Sequence, residues 1–258
     1  MKKFFQFAAA LLIVFVIIVG LRAIPLHVYD GFESPHLSWR WSHYRFEPGA
    51  VVTQKSVVRS GLRALAITVH SGDRFEQGVG GNASTERAEL MEAWWLFSRT
   101  GRTYSYTFSL YLPADFAQTS ERLVIAQWKQ VCEALRCRPD NPILAIRYED
   151  GHLQVTRQDE AQKSVLYQGS EDVRGRWLDF RFVTRFDSAD SGSIDATLNG
   201  QQIVRYRGPT AYQPAHGYPH HGLVYFKTGL YRDALHEPPW TIYVDEYRKD
   251  QCPTNSCP

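Results

Sequence analysis

The chain has 258 residues, enough for one large all-β domain or two small ones, with 44% hydrophobic and 22% charged residues, the balance of a globular protein. Its formal net charge is +2, and outside the basic amino-terminal segment 26 Lys and Arg face 27 Asp and Glu. This near neutrality excludes a general nucleic-acid binder, so an acidic polymer would have to bind at a local basic patch.

The amino terminus opens on Met1-Lys2-Lys3, and Phe4 to Leu21 follows as an apolar stretch interrupted by Gln6. Eighteen residues are long for the apolar core of a signal peptide and just enough to span a bilayer. No clean small-x-small cleavage site precedes Pro25. The segment (residues 1–24) therefore reads as an uncleaved anchor in the inner membrane or an atypical signal peptide. Either exports the remainder, to be periplasmic, membrane-anchored or secreted, with the two lysines left in the cytoplasm.

His27 to Glu33 reads as the strand entering a single domain over residues 25–258, with Asp30-Gly31 as a turn or bulge signal. Trp39 and Trp41 follow at strand spacing. Val51–Val58 and Ala64–Val69 flank a turn at Arg59-Ser60-Gly61. Residues 73–84 form a polar, Gly-rich loop. In Thr85–Met91, Arg87, Glu89 and Met91 share one face against Glu86, Ala88 and Leu90. Trp94, Trp95, Trp128 and Trp177 read as core rather than as sugar platforms.

Thr103–Leu112 alternates most clearly, and Pro113 ends it. Leu123–Lys129 places Ile125, Gln127 and Lys129 on one face. Asp150-Gly151 and Asn199-Gly200 predict two hairpins, the first joining Ile143–Tyr148 to Leu153–Arg157, the second Ser193–Leu198 to Gln201–Tyr206. Trp177–Phe186 alternates between them. After a Pro, Tyr and His loop over residues 210–222, Leu223–Arg232 places Tyr225, Lys227, Gly229 and Tyr231 on one parity. Trp240–Arg248 closes the fold. Many short strands, no amphipathic helix and no repeat predict an all-β sandwich or jelly roll, expected to be a monomer.

Cys132 and Cys137, then Cys252 and Cys257, form two close pairs. Two local disulfides fit an exported chain; a four-cysteine zinc site is the alternative.

If the strands bearing Arg87, Gln127 and Lys227 lie in one curved sheet, their outward residues line one concave groove. Cations and amides beside a phenol suit β-elimination from a uronic acid in a polysaccharide. The substrate carboxylate must be neutralised, a base must take the C5 proton, and an acid must protonate the departing O4. No metal or organic cofactor is needed for these steps. Tyr231 near Lys227 or Arg87 could serve as base, acid or both. Lys227 and Tyr231 are about 13 Å apart along an extended strand, so Gly229 must mark a bend or bulge, or the two serve adjacent subsites.

The set ERAEL at 86–90, AQWK at 126–129 and YFKTGLY at 225–231 resembles the jelly-roll polysaccharide lyases, which include alginate lyases, glucuronan lyases and the heparin lyase I family. The DGFES start, the LNG hairpin and the IYVDEYR closing strand look most like the heparin-lyase-I-like branch, with a concave groove on a concanavalin-like sandwich. The resemblance implies that Arg87 positions the substrate carboxylate and Gln127 helps neutralise it. Lys227 binds substrate in the groove, with Tyr225 and Glu89 on the same surface; Glu89 holds Arg87 or another cation in place. Tyr231 is the catalytic acid and could also be the base. The family's usual His two positions after the Gln is Lys129 here. Three readings follow: Lys129 replaces that base, Tyr231 moves both protons while Lys129 binds anion, or the domain binds anionic polysaccharide without cleaving it. His216, His220 and His221 could supply an imidazole from their loop. A hydrolase needs two facing carboxylates and ranks below a lyase.

Overall fold

The computed structural model describes residues 26–43, 45–74, 84–118, 122–132, 141–159, 162–214, 218, 222–234, 238–253 and 257. In chain order the strands are β1 (His27–Asp30), β2 (Trp41–Ser42), β3 (Val51–Gln54), β4 (Ala64–Val69), β5 (Thr85–Glu92), β6 (Ser98–Arg99), β7 (Thr103–Tyr111) and β8 (Leu123–Gln130). They continue as β9 (Leu144–Glu149), β10 (His152–Gln158), β11 (Lys163–Gln168), β12 (Trp177–Arg185), β13 (Ser193–Leu198), β14 (Gln201–Arg207), β15 (Leu223–Asp233) and β16 (Trp240–Gln251).

These strands make two eight-stranded antiparallel sheets. One runs β14-β13-β12-β7-β16-β4-β3 with β1 on β16; the other runs β11-β10-β9-β8-β15-β5-β2 with β6 on β15. The fold is the expected all-β sandwich. Residues Trp94–Leu96 form a 3-10 turn, and among the described residues no helix is long and apolar enough to cross a membrane. The apolar stretch Phe4 to Leu21 lies outside the described residues.

Alternation explains which residues face inward. Phe108, Trp128, Phe180, Phe182 and Phe226 are buried, and their rings interlock between the sheets at centroid distances of 4.8 to 6.3 Å. Burying each such side chain is worth about 1.5–3 kcal/mol. Both predicted hairpins form, with positive φ at Asp150 and Gly151 and at Asn199 and Gly200, the conformation a two-residue I′ turn needs.

A polar link crosses the core. Glu92 of β5 accepts from Lys249 Nζ of β16 at 2.8 and 3.0 Å, from the Tyr247 hydroxyl, and from the Phe226 amide at 3.1 Å. All four residues are buried. The carboxylate thus ties β5 and β15 of one sheet to β16 of the other.

The structure adds one strand to those expected and revises the reading of three tryptophans. Lys163–Gln168 is a strand at a sheet edge, partly solvated on both faces, so its alternation carries little signal. Trp94 and Trp95 are exposed, because the turn Trp94–Leu96 leaves the sheet after β5 and turns only Leu96 inward. Trp128 is core, as expected, while Trp177 is half-buried. Cys252 and Cys257 form a local disulfide, and Cys132 is also disulfide-bonded. Cys137 lies outside the described residues.

Candidate active site

β15 is the central strand of the site, with β8 on one side and β5 on the other. The three polar parities therefore share one sheet face, as the groove requires. Cα register arranges that face in rows. One row reads Gln154, Arg147, Val124, Tyr231 and Arg87 across β10, β9, β8, β15 and β5. The next reads Thr156, Ala145, Gln127, Lys227 and Met91. A third pairs Lys129 with Tyr225.

The bend between Lys227 and Tyr231 falls at Gly229. The pairing of β15 with β8 shifts between Thr228 and Tyr231, so β15 carries one extra residue there. Gly229 has φ +140°, and a Cβ on it would sit 2.2 Å from the Ala88 carbonyl oxygen. Only glycine fits this approach of β15 to β5. Thr228 Oγ1 donates to the Ile125 carbonyl at 3.0 Å across the same irregularity.

Glu89 organises the middle of the face. Lys227 Nζ donates to its Oε2 at 2.6 Å, Gln127 Nε2 donates to its Oε1, and Arg87 Nε lies 3.7 Å from Oε2. Glu89, Gln127 and Lys227 are all buried although they point away from the core. Burial pushes the Glu89 carboxyl up, but the charges of Lys227 and Arg87 and the two hydrogen bonds outweigh it and hold the group below the usual carboxylate range. Burial pulls the Lys227 ammonium down to about 7; Glu89 opposes this, while Arg87 and Lys129 add to it. The two directions are compatible. Two hydrogen bonds and the Arg87 charge keep Glu89 ionised, so Lys227 is the member of the pair that discharges as pH rises. The acidic group Lys227 holds in this structure is Glu89.

Tyr231 lies beside the net on the first row. The Arg87 guanidinium lies over its ring at 4.6 Å and that of Arg122 at 5.1 Å. Arg122 is itself ion-paired with Asp233. Arg147, in the same row, is buried and donates from Nε to Thr156 Oγ1 at 3.1 Å. Burial and then the Arg122 charge lower the Arg147 pKa, with Glu149 and Tyr231 opposing. Arg122 and Arg147 were not expected from the sequence. The parity of Arg147 with Ala145, opposite the apolar Ile146 and Tyr148, was the available sign. Arg122 precedes β8 and had none.

Lys129 and Tyr225 are half-buried at the far end of the face, two rows from Tyr231 in the register, and Phe97 stacks on Tyr225 at 5.1 Å. His216, His220 and His221 lie outside the described residues. The face thus offers guanidiniums and an amide around one phenol, with the acidic side chain at its centre already occupied by its own cations. It can bind an anion and move a proton.

Solved structures share this architecture. The chain is similar to an endo-β-1,4-glucuronan lyase from the fungus Trichoderma reesei, with TM-score 0.69 and 16% identity over 88% of this chain and 95% of that one. It is also similar to an alginate lyase of family PL-14 from Aplysia kurodai (TM-score 0.55, 12% identity, 87% and 97% covered). A third is the catalytic domain of a glycoside hydrolase family 131 protein from Coprinopsis cinerea (0.53, 16%, 88% and 95%). At these identities the likeness is one of fold. Among curated protein sequences none matches. The family model for polysaccharide lyases matches residues 29–248, nearly all of the described domain, and by that match the chain belongs to the polysaccharide lyase family.

Proposed function

We propose that the protein cleaves a uronate-containing polysaccharide by β-elimination, with Tyr231 moving both protons. The observation that carries this is the position of Tyr231, under the Arg87 and Arg122 guanidiniums and in register with Arg147. In the reaction Tyr231 acts as its phenolate: the C5–H bond breaks, the proton passes to the phenolate oxygen, and the electron pair moves onto the uronate carboxylate as an enolate. The C4–O4 bond then breaks, a C4–C5 double bond forms, and O4 leaves with a proton from the same tyrosine. The arginines meet the negative charge of the phenolate and the charge that develops on the uronate carboxylate. Gln127, oriented by Glu89, has a second N–H to offer the carboxylate.

Lys129 stands two rows away and is read as an anion-binding residue together with Tyr225; Lys227 acts through Glu89 and Gln127 as a positioning residue. Glucuronan and alginate, the polymers named for structural neighbours, are the first substrates to try. Glycosaminoglycans follow, on the strength of the DGFES and IYVDEYR segments and their heparin-lyase-I-like look. We read the amino-terminal segment as an export signal or anchor that places this chemistry outside the cytoplasm.

The test is a polysaccharide panel monitored in the near ultraviolet, where the unsaturated product absorbs. Wild type should generate absorbance on at least one uronate polymer, and Tyr231→Phe should abolish it. No absorbance on any uronate polymer would overturn the reading.

A further inference from the structure

Three tryptophans stand in water beside the groove. Trp94 is 73% exposed, Trp39 66% and Trp95 46%. They touch one another: Trp39 stacks on Trp95 with centroids 5.8 Å apart and planes at 28°, and Trp94 meets Trp95 edge-on at 5.6 Å. An exposed apolar cluster of this size marks a binding surface more often than it marks nothing.

The cluster is held rigidly. The Ala93 amide donates to the Arg40 carbonyl at 2.8 Å, joining the two segments that carry the indoles. Within the turn, the Leu96 amide donates to Ala93 O at 2.9 Å and the Phe97 amide to Trp94 O at 3.3 Å. The Leu96 side chain is buried, and its carbonyl accepts from the buried Lys249. Rings fixed this way lose little entropy on receiving a ligand.

The cluster is also continuous with the groove. Phe97, one residue past the turn that carries Trp94 and Trp95, stacks on Tyr225, which is paired with Lys129 on the groove face. The Arg40 guanidinium lies over the Trp39 ring at 5.2 Å. An indole face matches the C–H face of a pyranose ring, and a neighbouring guanidinium matches a uronate carboxylate. A membrane surface would be met by aromatic side chains too, but the link through Phe97 and Tyr225 points along the groove.

We propose that Trp39, Trp94 and Trp95, with Arg40, form a distal subsite that stacks pyranose units of the acidic polysaccharide beyond the cleavage point. This rests on the reading of the groove as the substrate cleft. Its consequence is length dependence: a chain long enough to reach from Tyr231 past Tyr225 gains the tryptophan contacts, and a short oligosaccharide does not.

The experiment compares the full chain with its Trp94→Ala/Trp95→Ala variant. Retardation in gels containing glucuronan or alginate measures polymer binding, and KM is measured on polymer and on tetrasaccharide. The variant should lose about tenfold in polymer affinity and show a polymer KM about tenfold higher, with the tetrasaccharide kcat unchanged. A Trp94→Phe/Trp95→Phe variant should recover part of the loss. Equal retardation and equal polymer KM in wild type and variant would overturn the subsite. So would a defect confined to binding of anionic phospholipid vesicles or to self-association. Should wild type release no unsaturated product from any polymer, the lyase reading fails by itself, and the gel measurement still decides the subsite.

Discussion

Both sheets carry an arginine–carboxylate pair on their outward face, and the two pairs have different surroundings. On the groove sheet, Glu89 is closed over by Lys227, Gln127 and Arg87, and all of the net but the partly exposed Arg87 is buried. On the other sheet, Asp179 accepts from Arg59 Nε at 3.0 Å, Arg59 Nη2 at 2.8 Å and Ser109 Oγ at 2.7 Å. That pair forms a wall of a cavity of about 500 Å³ shared with Tyr29, Arg181 and Glu246. Its side chains are 43% and 41% exposed. Hydrogen-bond geometry is as good on the second sheet as on the first. Burial is what separates them, because it leaves the groove charges unscreened and dependent on one another. An outward-facing polar net that is nevertheless buried is where this molecule's chemistry should be sought, and a cavity lined by solvated pairs is not.

The largest expected effect falls on the groove alone. Tyr231→Phe should lower kcat by about 10²–10⁴-fold, the usual cost of removing a proton-transfer group, with the thermal midpoint unchanged. Steady-state rates and a melting curve on the same sample check both halves. A surviving rate near wild type would move the proton transfer elsewhere, to Lys129 first.

Next comes the buried pair. Lys227→Met leaves Glu89 buried without its closest cation and should destabilise the fold by about 3–5 kcal/mol. The pH dependence has a definite sign. Lys227 titrates at about 7 in the folded protein against 10.5 as its ordinary value. Between those values the unfolded chain binds more protons, so wild-type stability rises as pH climbs from about 7 towards 10.5. Lys227→Met lacks this contribution, so the gap between wild type and variant should widen over that window. Urea unfolding at pH 6.5 and pH 9 measures it; a gap that narrows would show the ammonium to be held above its ordinary pKa instead.

Backbone geometry supplies a third contrast. Gly229 and Gly200 both have positive φ, at +140° and +80°. A Cβ at Gly200 meets nothing within 4 Å, whereas one at Gly229 meets the Ala88 carbonyl oxygen at 2.2 Å. Gly200→Ala should cost about 1 kcal/mol of turn strain. Gly229→Ala should cost more, because β15 and β5 must also part, and it should lower kcat by shifting Tyr231 against Arg87. Equal melting shifts for the two variants would remove the bulge from the site's construction.

How much of this could be read beforehand varied with the range of the interaction. Alternation within a strand is local, so β7, β12 and the polar parities of β5, β8 and β15 were legible from the residues. So was the choice at Gly229 between a bend or bulge and two adjacent subsites, since four extended residues cannot bring Lys227 and Tyr231 to one sugar. That β5, β15 and β8 are neighbours depends on chain topology, which no single strand encodes; the resemblance to lyases supplied it. Arg147 reaches the Tyr231 row only through two register shifts, between Val124 and Ala126 and between Thr228 and Tyr231, and such offsets leave no mark in local pattern. Nor could the burial of Lys227 be foreseen, because a lysine on an outward parity is ordinarily solvated.

The smallest effect belongs to the second sheet. Arg59→Ala breaks a bidentate pair with Asp179, yet more than two-fifths of each side chain remains in water. Solvent replaces the lost partner, so the cost should be about 0–1 kcal/mol, and 0.5 M salt should shrink it further. Lyase rates should not change, since the pair lies across the sandwich from Tyr231. The Arg59 amide also donates to Asp245, whose carboxyl burial raises to about 6, and that backbone bond survives the substitution. A loss of several kcal/mol or a fall in kcat would mean that the outer cavity is coupled to the groove through β16 and the Glu92–Lys249 link. Burial would then no longer separate the two faces.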